Sequence, residues 1–229
     1  MENLFSNLLK DFSTNFLNLI FPCVCYNCQK KIIGNSILCP DCENKLEPLK
    51  KPVHTQNTEK DLYFDFAVAS VHYNNVIRSL IHAFKYQELL KVAEYLTNER
   101  LTQAIEIHLQ GMDYICPIPL HKVKKRMRGF NQAELISKLL SQKLKVTHIP
   151  DLLIRKNFTK TQTKLTREER QKNVKDVFKV NDNYNVNGKN IIIVDDVFTT
   201  GSTANSAAKA LSTNKTDKVV IYTVAKAKH

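Results

Sequence analysis

The stretch Ile191-Ile-Ile-Val-Asp-Asp-Val-Phe-Thr-Thr-Gly-Ser-Thr203 constrains the fold of this chain more than any other. Four β-branched residues form a buried strand, and two carboxylates stand at its carboxyl end. A Thr-Thr-Gly-Ser-Thr loop then opens onto an Ala-rich helix. A turn at a helix N-terminus directs backbone N–H groups and the positive end of the helix dipole at one point, which suits a phosphate. Gly201 allows close backbone approach, and the hydroxyls of Thr199, Thr200, Ser202 and Thr203 can donate to phosphate oxygens. No Gly-Lys-Ser/Thr follows, so this is not a Walker A loop. Asp195 and Asp196 would repel a phosphate, and sugar hydroxyls, which donate to carboxylates, are their natural partners. Helix capping alone needs only one hydroxyl residue and does not account for the two acids.

Strand-like and helix-like runs alternate around this element. Phe66 to Val71, Tyr114 to Ile118, Asn190 to Asp195 and Val219 to Val224 read as strands. Val76 to Phe84, Leu89 to His108, Asn131 to Leu144 and Ser202 to Leu211 read as helices. The expected class is α/β, a parallel sheet with helices on both faces, and such sheets bind ligands beyond the carboxyl ends of their strands. At 229 residues the chain can bury one such core with length to spare. The spare length is N-terminal: residues 1–50 read as an appendage, 51–62 as a polar linker and 63–229 as the α/β domain.

The appendage begins with Leu4, Phe5, Leu8, Leu9, Phe12, Phe16 and Leu19 at helical spacing, an amphipathic helix expected to pack on the protein. Two CxxC pairs follow, Cys25 with Cys28 and Cys39 with Cys42, ten residues apart. Paired knuckles of this kind place four thiolates tetrahedrally around Zn²⁺, which leaves no open position, so the metal is expected to be structural. Cys23 lies two residues before the first knuckle and is an alternative to Cys25 as a ligand. Cys116 sits in an apolar run and reads as a core residue. No apolar run approaches the length of a membrane span, and the N-terminus lacks the features of a secretory signal, so a cytoplasmic protein is expected.

The net charge of +12 is concentrated in one quarter of the chain. His121 to Lys175 holds sixteen Lys or Arg against four Asp or Glu, and the remainder holds eighteen of each sign. A solvated basic face is the bland account. An excess this local also attracts a polyanion, either a polyphosphorylated small molecule or a nucleic acid.

The run from Val194 to Thr203 resembles the phosphoribosyl pyrophosphate (PRPP) signature of type I phosphoribosyltransferases. Phe21-Pro-Cys with the two knuckles, Leu80-Ile-His-Ala-Phe-Lys-Tyr86, Pro117-Ile-Pro-Leu-His121, Arg128-Gly-Phe-Asn-Gln132 and Arg167-Glu-Glu-Arg-Gln-Lys-Asn173 together resemble the ComF (ComFC) competence family over nearly the whole chain. The resemblance implies that Asp195 and Asp196 hold the ribose hydroxyls of PRPP. It further implies that Thr199, Thr200, Gly201, Ser202 and Thr203 wrap its 5′-phosphate and that Mg²⁺ bridges ribose and pyrophosphate. Type I enzymes place their pyrophosphate loop where Pro117 to His121 ends its strand, which points to the amides of Leu120 and His121, with Arg128 close behind. Arg155 to Lys175 would be a mobile loop closing over PRPP, a nucleic-acid contact, or a solvated loop. Lys85 and Tyr86 end a helix, where a lysine favours the dipole in any case.

Family resemblance also implies a part in natural transformation, handling single-stranded DNA beside the inner membrane with DNA-uptake and recombination proteins. Lys124, Lys125, Arg126, Lys164 and Arg167 are the candidate nucleic-acid contacts, expected to bind without sequence preference. Two accounts of the activity stand side by side: a transferase that displaces pyrophosphate from PRPP with a nitrogen nucleophile, as in nucleotide metabolism, and a non-catalytic DNA-binding module regulated by PRPP. No catalytic residue, acceptor or oligomeric state is legible.

Overall fold

The computed structural model describes residues 23–32, 34, 36–55, 62–86, 89–156 and 177–227. The helix expected over residues 1 to 21 lies outside them, as do Lys164 and Arg167 and most of the expected mobile loop. The side chains of Lys85, Tyr86 and Lys124 also lie outside the description.

In chain order the elements are α1 (Pro40–Glu43), β1 (His54–Thr55), β2 (Phe66–His72), α2 (Asn75–Tyr86), α3 (Leu89–Leu96), α4 (Glu99–Glu106), a 3₁₀ turn (Ile107–Leu109) and β3 (Tyr114–Pro117). They continue with α5 (Lys122–Arg128), α6 (Gln132–Leu144), β4 (Thr147–His148), β5 (Leu153–Arg155), β6 (Phe178–Val180), β7 (Asn190–Phe198), α7 (Ser202–Ser212) and β8 (Lys218–Lys226). The main sheet has the order β1-β2-β8-β7-β3-β4, parallel throughout except for β1 at its edge. β5 and β6 form a separate antiparallel pair.

Alternation along β7 divides the core into two layers. Ile192 and Val194 pack with Ile77, Leu80, Leu101, Ile136 and Leu140 on one face. Ile191 and Ile193 pack with Ala207, Leu211, Leu152 and Phe178 on the other. Burial on both faces explains why these strands read as continuous apolar runs rather than alternating ones.

Several elements depart from the sequence reading. The single helix expected from Leu89 to His108 is two, because the Asn98 side chain accepts from Leu101 N at 3.1 Å and starts α4 afresh. β7 does not stop at Asp195 but runs through both acids to Phe198, held by its pairing with β8 as far as Lys226. The basic run after His121 is itself partly helical.

The segment expected as a linker runs along the sheet edge at its start. Leu49 N donates to Ser70 O at 2.8 Å, Val53 N donates to Ala67 O at 2.8 Å, and β1 pairs with β2. Buried Ile37, Leu38 and Leu46 of the appendage belong to the same apolar cluster as Val71, Val76 and Ile77.

Candidate ligand site and metal centre

Pleating sends adjacent side chains of β7 to opposite faces, so the two acids separate. Asp195 follows Ile191 and Ile193 on the α7 side, and Asp196 follows Ile192 and Val194 on the α6 side. Each carboxylate takes the next backbone amide: Asp196 N donates to Asp195 Oδ1 at 2.9 Å, and Val197 N donates to Asp196 Oδ1 at 2.8 Å. Asp195 also acts on Arg155, a residue that sequence reasoning did not single out. Burial pulls the Arg155 guanidinium below its ordinary range, and the Asp195 carboxylate pushes it back up. The guanidinium carbon stands 5.4 Å over the Phe178 ring. No local pattern announces Arg155; only the position of the β5–β6 hairpin brings it to the strand end.

The loop after β7 is fixed by one aromatic ring. Gly201 has φ +73°, and a Cβ there would fall 2.8 Å from Phe198 Cζ. Phe198 is itself buried and meets Phe64 edge-on at 6.4 Å between ring centres. Glycine is therefore required twice, for its backbone angle and for the ring beneath it. Gly201 at the N-cap of α7 offers no side chain, Thr200 Oγ1 accepts from Ser202 N at 3.4 Å, and Thr199, Thr200, Ser202 and Thr203 are exposed around the helix start. The Thr200 and Ser202 hydroxyls lie 2.9 Å apart. The N-terminus of an 11-residue helix that opens on a glycine and is ringed by exposed hydroxyls can receive an anion.

Beyond β3 the Pro117–His121 turn is held from behind. Ile118 N donates to Val194 O at 2.9 Å, and buried Asn131 donates through Nδ2 to Ile118 O at 3.0 Å while its Oδ1 accepts from Ala133 N at 3.2 Å. His121 caps α5, its Nδ1 accepting from Val123 N at 3.3 Å. Leu120 and His121, with Lys122, Lys125, Arg155 and Lys156, line a cleft of about 270 Å³. Arg128 donates from Nη1 to Gln132 Oε1 at 3.2 Å. Lys125 and Arg126 are exposed on α5.

The four knuckle sulfurs converge. Cys25, Cys28, Cys39 and Cys42 place their Sγ atoms within 4.8 Å of one another, and Cys23 stands outside the set. Gln29, in the left-handed region at φ 62°, closes the first knuckle, with its N donating to Cys25 O. Asn27 Nδ2 donates to Cys42 Sγ at 3.2 Å, and Asn27 Oδ1 accepts from Ser79 Oγ of α2 at 3.0 Å, so the cluster is oriented by the domain. Burial opposes ionisation of the Cys25 thiol, but the backbone N–H groups of Cys28, Cys39 and Asn27 outweigh it and bring it down to about 6. Burial pushes the Cys42 thiol up to about 12. A cluster of four thiols this close together suits a tetrahedral thiolate-binding metal. Cys116 is fully buried, and burial alone raises its thiol, as a core residue requires.

The model of the phosphoribosyl transferase domain family matches residues 131–229. Competence protein F of Haemophilus influenzae is 30% identical over 210 residues, covering 89% of this chain and 90% of that protein. Competence protein ComFC of Bacillus subtilis is 30% identical over 195 residues, covering 82% of this chain and 77% of that protein. DNA utilization protein YhgH of Escherichia coli K12 is 28% identical over 203 residues, covering 87% and 88%.

Proposed function

Since the chain belongs to the ComF competence family, whose part is in natural transformation, we propose that it binds PRPP at the β7–α7 loop and handles single-stranded DNA. The observation that carries the PRPP reading is Gly201, held at φ +73° over the Phe198 ring so that a helix N-terminus ringed by exposed hydroxyls opens directly beyond two carboxylates. In this reading the loop from Thr199 to Thr203 takes the 5′-phosphate and Asp195 and Asp196 take the ribose hydroxyls. The cleft beside Leu120 and His121, with Arg155 and Lys156, takes the pyrophosphate. Mg²⁺ accompanying PRPP would offset the crowding of negative charge between pyrophosphate and carboxylates. What the protein supplies is charge and geometry, set before the ligand arrives.

The DNA reading is supported by the exposed cations of α5 and by the names of the relatives, and it places the protein in the cytoplasm beside its membrane partners. Zinc in the Cys25, Cys28, Cys39, Cys42 cluster is proposed as structural.

Calorimetric titration with PRPP and Mg²⁺ tests the site. The wild type should bind, and the Asp195→Asn, Asp196→Asn double variant should lose about a hundredfold in affinity, because each carboxylate gives up charge-assisted bonds to hydroxyls. Unchanged affinity in the double variant would overturn the assignment. Oligonucleotide binding should weaken steeply across a salt series and fall further when Lys125 and Arg126 are replaced by Gln.

A further inference from the structure

The motif Arg128-Gly-Phe-Asn-Gln132 is only partly explained by the site above. Gly129 ends α5 in the left-handed region, Phe130 packs at 6.1 Å on Phe84 of the other unassigned motif, and Asn131 holds the β3 turn. Gln132 remains. It is 2% exposed, and its Nε2 is buried with no hydrogen-bond partner among the described residues. A buried amide N–H₂ left without an acceptor costs free energy, and native structures rarely leave one without a use.

Two facts define its setting. Arg128 has only donors, so the atom of Gln132 that meets it must be Oε1, and this fixes Nε2 on the other side of the amide. Gln132 lies one turn before Ile136, which belongs to the layer of Ile192 and Val194, the face of β7 on which Asp196 comes next. The cleft with Arg155 and Lys156 is also lined by Asn131 and Glu134, which bracket Gln132 at the start of α6.

Resting on the PRPP reading, we propose that Gln132 is a ligand-positioning residue: its Nε2 donates to an oxygen of bound PRPP on the Asp196 side, and Arg128 sets the amide for that purpose. Arg128 is partly buried, and its guanidinium holds the Oε1 end of the amide. The motif is then a clamp in which Asn131 holds one wall of the site and Gln132 contacts what occupies it.

Gln132→Glu is the decisive variant. A carboxylate keeps the shape and strengthens the pairing with Arg128, so a merely structural glutamine predicts unchanged or higher thermal stability and unchanged PRPP affinity. The proposal predicts an affinity for PRPP reduced about tenfold or more, with the melting temperature held, because a donor has become an acceptor facing ligand oxygens. Gln132→Asn, which keeps the donor on a shorter arm, should fall between. Wild-type affinity in Gln132→Glu, alongside loss in the Asp195, Asp196 double variant, overturns this proposal and leaves the PRPP reading standing. A wild type that does not bind PRPP overturns both.

Discussion

The cysteine knuckles and the β7–α7 loop are both sites assembled from short sequence motifs, but they are held in opposite ways. The loop is set by carbon: a buried ring under Gly201, a strand paired along its length, and a helix whose N-terminus needs nothing bound to keep its shape. The knuckles are set by sulfur. Their thiols, three buried and Cys28 exposed, lie within 4.8 Å, one driven down to about 6 and another up to about 12, an arrangement that suits a bound cation. On the proposed readings, the first site is built before its ligand arrives and the second would be completed by its metal. Between them lie the Asn27 to Ser79 bond and a shared apolar cluster.

The largest expected effect comes from removing the metal. Chelation, or Cys39→Ser, should melt the knuckles and expose Ile37, Leu38 and Leu46, lowering the melting temperature by about 10 °C or more, given that a kilocalorie moves a chain of this size by about 2–4 °C. If the contrast holds, PRPP affinity measured well below that transition stays within about twofold, since ~0.4 kcal/mol of perturbation is all that such a change represents. Loss of PRPP binding in a still-folded domain would break the comparison.

A smaller effect is expected at the loop. Gly201→Ala places a methyl against Phe198 and forces a left-handed angle, a combined strain of about 1–3 kcal/mol. It should reduce PRPP affinity about tenfold by titration while leaving metal content, measured by atomic absorption, unchanged. Gly201→Ala with native PRPP affinity would mean that the ring does not set the loop.

The smallest effect concerns the far end of β7. Asn190 N and Lys189 hold the Asp113 carboxyl below its ordinary range. Its contribution to stability is therefore full above its unfolded pKa of about 4 and is lost as pH falls through the lower folded value. Asp113→Asn should flatten the acid side of the stability curve, followed by urea unfolding from pH 7 to 3, with PRPP affinity at neutral pH unmoved. A curve that kept its acid slope in the variant would place the titrating group elsewhere.

Particular residues show how far the sequence could be read. The four main strands were legible because burial on both faces makes each one a continuous apolar run. The break at Asn98 was not, because the helical period carries straight across Thr97 and Asn98 and only the cap bond reveals the restart. The pairing of Arg128 with Gln132 was not legible either, because it depends on α5 ending at Gly129 and turning back toward the start of α6.

Sequence by itself determined the chemistry of both sites: cysteines at knuckle spacing, two acids at a strand end, and a hydroxyl-rich turn opening a helix. These are relations between residues a few positions apart, which backbone geometry alone translates into space. Tertiary structure alone decided that β7 continues past Asp195, so that the acids face opposite layers. It also brought Arg155 to Asp195, laid the Phe198 ring beneath Gly201 and left Gln132 Nε2 buried without a partner among the described residues. Each of these depends on which elements lie side by side, an order in which β8 comes between β2 and β7, and nothing local in the chain encodes it.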